Sequence, residues 1–181
     1  MDVRGSHCLS CKFVGGRSSR HSALNDLIWR ALNKAGIPSV KEPSGLYRTD
    51  NKRPDGLTLI PWQAGKSMVW DTTVIDTLAN SYIATSSATP GGAAEIAASR
   101  KEAKYVTLSL THSFIPIALE SLGPIYSKAT DFLRELGRRL TVSTGDRRET
   151  SYLFQRLSVT LQRFNAVSFR QTFSQVIDDI D

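Results

Sequence analysis

The sequence predicts an α/β or α+β layer fold, on three observations. Apolar residues recur at helical spacing in four separate segments, runs rich in β-branched and aromatic residues lie between them, and prolines and glycines punctuate the joins. A chain of 181 residues with 40% apolar content is long enough for one compact domain with a real core, and short for two.

Leu24, Leu27, Ile28, Ala31, Leu32 and Ala35 form one stripe of a helix over 19–35, with serines ahead to cap it and Gly36 and Pro38 to end it. "PSVKEP" (38–43) is a short extended piece, because the residue before a proline is pushed out of helical backbone. "GLYRTDNKRPDG" (45–56) crowds turn formers together and leads into a strand, "DGLTLI". "PWQAGK" reads as a hairpin connection to an antiparallel strand, "SMVWDTTV" (67–74). From 75 to 94 the chain becomes small and polar, nearly low complexity at "ATSSATPGGAA", and is expected to be a mobile loop or insertion. A helix over "AAEIAASRKEAKY" (93–105), a strand over "HSFIPIALES" (112–121) and two amphipathic helices over 123–140 and 150–169 complete the order. There is no internal repeat.

The net charge is +6, and residues 1–60 hold ten Lys/Arg against five Asp/Glu while the rest is nearly balanced. A polyanion such as nucleic acid is therefore a reasonable partner, since clustered cations gain affinity by releasing phosphate counterions. No apolar run approaches the roughly 18 residues that cross a bilayer, and "MDVRGSHCLSCKF" lacks the apolar stretch of a secretory signal, so no membrane partner and an intracellular location are expected. Cys8 and Cys11 offer two thiolates where a structural zinc needs four ligands, with His7 as a third.

Strand alternation in "VWDTTV" puts Val69, Asp71 and Thr73 on one face and Trp70, Thr72 and Val74 on the other, so Trp70 reads as core. An Asp in so apolar a strand is costly unless it is solvated, hydrogen-bonded or bound to a cation. Asp55 enters the neighbouring strand, and two carboxylates converging there would suit Mg²⁺ or Mn²⁺. Pro54-Asp55-Gly56 is equally a turn tripeptide, and both readings stand on spacing alone.

"RPDG", then "VWDTTV", then "SRKEAKY" resembles the PD-(D/E)xK nuclease superfamily, and in particular the restriction-like endonuclease domain of site-specific non-LTR retrotransposons. "HCLSC" and "RHSALNDLI" are similar to the zinc knuckle and the Arg-His helix start that usually precede such domains, and the resemblance covers roughly residues 7–125. It implies a restriction-endonuclease-like central mixed sheet flanked by helices: a knuckle remnant over 1–18, a nuclease core over 19–125 and a helical extension over 126–181. It further implies a piece of a larger polyprotein, because His7 and Cys11 match the last two ligands of a knuckle whose first two cysteines would lie upstream of Met1; Zn²⁺ would then be bound by the full-length parent.

The function implied is a metal-dependent endonuclease, nuclear in location, that nicks DNA to prime reverse transcription, with the parent reverse transcriptase and element RNA as partners. The alternative is an inactive nucleic-acid-binding remnant. By the resemblance, Asp55 and Asp71 hold Mg²⁺ or Mn²⁺ with the Thr72 carbonyl, and Glu42 reaches the metal from the preceding extended segment. Thr73 stands where the superfamily carries its lysine, so Lys101 and Lys104 on the following helix inherit that role. His21 and Asn25 share a helix face, where Asn25 is a neutral candidate ligand and His21 is expected to be structural. Arg20 and Arg53 are expected on phosphate, and Trp62, placed in the hairpin tip, on a base.

Overall fold

The computed structural model describes residues 6–9, 15–46 and 53–177. Within these residues four strands form one mixed sheet in sequence order: β1 (Ser39–Lys41), β2 (Gly56–Gln63), β3 (Lys66–Ile75) and β4 (Ser113–Glu120). The first three are antiparallel, and β4 runs parallel to β3. Among the described residues five α-helices flank the sheet: α1 (Gly16–Lys34), α2 (Ile83–Ala88), α3 (Gly92–Lys104), α4 (Ser127–Thr144) and α5 (Glu149–Ile177). This is the mixed α/β arrangement that the sequence predicts.

Ala64 and Gly65 join β2 to β3, both with positive φ (48° and 73°), the backbone of a tight hairpin turn whose twist suits the strands. A parallel neighbour requires a crossover, which α3 supplies before β4 returns beside β3. Helix α1 packs against α5, and α4 against both α5 and β4, whereas α3 packs on β3 and β4. Leu24, Ile28 and Leu32 of α1, Leu133, Leu136 and Leu140 of α4, and Leu153, Leu157 and Leu161 of α5 are all buried in one core with Met68 and Trp70. Each such leucine contributes roughly 1.5–3 kcal/mol of burial, which holds the long C-terminal helices to the sheet. No described helix is long and apolar enough to cross a membrane.

Within residues 75–94, expected as a mobile loop or insertion, the chain forms the short helix α2 and the start of α3, joined by turns. Ile75, Asp76 and Thr77 are buried, and Asp76 Oδ1 accepts the Leu78 N–H at 3.0 Å to turn the chain. Ser86 Oγ, in α2, donates to the Thr77 carbonyl at 2.8 Å. The smallness that suggests low complexity is a packing face: Ala93, Ala94, Ala97 and Ala98 are buried and let α3 lie close on the sheet. At the end of β4, buried Glu120 accepts the N–H groups of Ala93 and Ala94 at 3.0 and 3.3 Å, satisfying two donors that a helix start leaves open. With 1.5 Å of rise per residue, this anchor places Lys101 about 12 Å along the axis from Ala93.

Candidate metal centre

Asp55 and Asp71 meet because β2 begins one residue after Asp55. Gly56 pairs with Trp70, and the Asp55 N–H still reaches the Trp70 carbonyl at 3.0 Å. Beyond that point β3 continues without its β2 neighbour, so the N–H and C=O of Thr72 face an open edge. Two side chains complete it. Asp55 Oδ2 accepts the Thr72 N–H at 2.6 Å, and the His21 Nε2–H donates to the Thr72 carbonyl at 3.1 Å and to Asp55 Oδ2 at 3.0 Å.

Asp71 approaches from the other face of β3. Its carboxylate, almost wholly buried, accepts from Lys101 Nζ at 2.7 Å and from the Tyr105 hydroxyl. Burial pushes the Asp71 carboxyl above its ordinary range; the Lys101 ammonium opposes this, and the nearby Asp55 charge adds to the rise. The hydrogen bond to Asp55 holds the His21 imidazole above its ordinary value against the opposing effect of burial. One donor atom from each of His21, Asp55 and Asp71 lies within 4.8 Å of the others, the only such group among the described residues.

Two carboxylates and an imidazole grouped in this way, with the Thr72 carbonyl 3.1 Å from the imidazole nitrogen, could hold a divalent cation once His21 Nε2 gives up its proton. Carboxylate and carbonyl oxygens are the donors that hard divalent ions take, and an imidazole is also accepted by first-row transition metals. Lys101 sits at this centre, whereas Lys104, three residues on, is exposed. Arg53 is exposed two residues before Asp55.

Other residues named from the sequence are placed elsewhere. Glu42 is exposed and pairs with Arg53 at 3.1 Å instead of joining the cluster. Asn25 is not a ligand: its Oδ1 accepts the Trp70 indole N–H at 2.8 Å, which fixes the strand from below. Arg20 is not a surface phosphate contact. It is 1% exposed, donating to Asn165 Oδ1 at 2.7 Å and to the Leu9 carbonyl at 2.9 Å, so it ties α1 to α5 and to a 3-10 turn at Ser6–Leu9. Trp62 lies within β2 and is 5% exposed, packed on Phe132 and covered by the Arg139 guanidinium 3.9 Å from its ring centre, so no base can stack on it. Cys11 lies outside the described residues, as does the side chain of His7.

Sequence reasoning missed His21 and Tyr105 as parts of the centre. The signal for His21 was its place four residues before Asn25, on the helix face turned to the sheet; that for Tyr105 was its position directly after the Lys-x-x-Lys run. A scan against models of known protein families and a search of curated proteins find no match for this chain.

Proposed function

We propose that this chain is a metal-dependent endodeoxyribonuclease domain of restriction-like type that nicks DNA, and that the nick serves to prime reverse transcription by a parent retrotransposon polyprotein. The observation that carries the reading is the grouping of His21, Asp55 and Asp71 within 4.8 Å, with the Thr72 carbonyl beside His21 and Lys101 against Asp71.

Asp55, Asp71 and the Thr72 carbonyl would hold the cation, with His21 Nε2 as a further donor once its hydrogen bonds are released. A divalent ion there supplies Lewis-acid stabilisation of charge on the phosphoryl oxygens and acidifies a nearby water. The water would give up a proton to solvent as its oxygen bonds to phosphorus and the bond from phosphorus to the 3′ oxygen breaks, and that oxygen would take a proton from solvent to leave as a 3′ hydroxyl. Lys101 carries a positive charge to the reacting phosphate and can orient the attacking water. Tyr105 restrains the Asp71 carboxylate, and Arg53 lies on the exposed approach to Asp55, where it can meet a flanking phosphate.

The alternative, an inactive nucleic-acid-binding remnant, is favoured by one observation: His21 already pairs with Asp55 and Lys101 with Asp71. A plasmid-nicking assay with Mg²⁺ or Mn²⁺ decides between them. Nicking that requires the cation and disappears in Asp71→Ala supports the nuclease. Folded protein that binds DNA, never cuts it and behaves identically as Asp71→Ala leaves the binding remnant.

A further inference from the structure

A groove between α1 and α5 forms an open hollow of about 370 Å³. Leu27, Ala31 and Phe164 give it an apolar floor, and Arg30, Lys34, Arg156 and Arg163 stand around it. It is separate from the carboxylate pair: Arg30 follows His21 by nine residues, so at 100° per residue it projects from the opposite side of α1.

The charges here are ordered as well as numerous. Asp26 is shared between Arg30 at 2.6 Å and Lys41 at 3.1 Å, and Glu149 between Lys34 at 2.5 Å and Arg156 at 3.7 Å. Arg163 forms no ion pair among the described residues. Four cations thus stand around the groove, and the two carboxylates hold three of them, Arg30, Lys34 and Arg156, in place before any ligand arrives, reducing the side-chain entropy lost on binding.

We propose that this groove binds single-stranded nucleic acid, one base entering the cavity against Phe164 and the flanking phosphates resting on the rim cations. The volume falls within the range of small-molecule pockets, about 300–1,000 Å³. A base paired inside a duplex cannot enter such a hollow, whereas single strands are held by this combination of a cationic track and an aromatic face. The site does not depend on the nuclease reading.

The test is fluorescence anisotropy of a short labelled oligothymidylate, titrated at several salt concentrations in EDTA so that no cleavage intervenes. Arg30→Ala and Arg163→Ala change exposed side chains and should stay folded; each should weaken binding and reduce the slope of log K against log salt by about 0.7. Phe164→Leu should weaken binding about five-fold with the slope unchanged. Unchanged slopes in both arginine variants overturn the proposal, as does a duplex of the same length or an oligoglutamate bound as tightly as the single strand. A protein that shows this binding but never nicks loses only the nuclease reading. One that nicks, with binding indifferent to Arg30 and Arg163, loses only the groove.

Discussion

Replacing Gly56 with alanine drives a methyl group into Trp70. A Cβ on Gly56 would lie 2.0 Å from Cζ2, 2.2 Å from Cη2 and 2.4 Å from Cε2 of the indole, against roughly 3.5–4.0 Å for an ordinary carbon contact. Ring or strand must therefore separate by about 1.5 Å. The ring has nowhere to go: it is fully buried, and its N–H is tied to Asn25 Oδ1 at 2.8 Å. Overpacking costs about 1–3 kcal/mol, and loss of the indole hydrogen bond adds roughly 1 kcal/mol, so Gly56→Ala should destabilise by about 2–4 kcal/mol. For a chain of this size that lowers Tm by roughly 4–16 °C. Urea unfolding followed by circular dichroism should show a lower midpoint with an unchanged slope. Gly65→Ala is the control: nothing lies within 4 Å of the added Cβ, and only the φ of 73° is penalised, at about 1–2 kcal/mol. A Gly56→Ala protein within about 0.5 kcal/mol of the unaltered chain would refute the packing of β2 on β3, and with it the placement of Asp55 beside Thr72.

Two further expectations concern side chains whose roles the fold reassigns. Because the folded pKa of His21 is raised from 6.5, the stability that its pair with Asp55 contributes is fully present below the unfolded value and is lost as pH rises through the folded one. Urea midpoints should therefore fall as pH is raised above about 6.5, more shallowly in His21→Gln; equal pH dependence in both proteins would contradict the pairing. Arg20→Ala strands the Asn165 Oδ1 and Leu9 carbonyl acceptors and should cost about 3 kcal/mol in urea unfolding. The salt dependence of DNA binding by the folded variant should stay unchanged, whereas loss of a phosphate contact would lower the slope by about 0.9.

The sequence by itself determined the elements, because their signals are local. Helical spacing of leucines marks α1, α4 and α5, and alternation separates Trp70, turned to the core, from Asp71 on the opposite face. It also singled out Asp55 and Asp71 as a pair, since both stand out in otherwise apolar or turn-forming surroundings. Local spacing left other questions open. Lys101 and Lys104 are alike in sequence, and it is the rotation of α3, pinned at its start by Glu120, that brings Lys101 to Asp71. Trp62 lost its place on the surface to Phe132 and Arg139, residues 70 and more positions away that no short-range pattern connects to it. Gly56 read as part of a turn, whereas its missing side chain is required by the Trp70 ring. His21 reaches the Thr72 carbonyl across 51 positions only because α1 crosses the open edge of β3 at that height. Periodicity depends on neighbours in the chain and can be read from it; a site depends on where finished elements dock, and docking is set by the shape of the shared core.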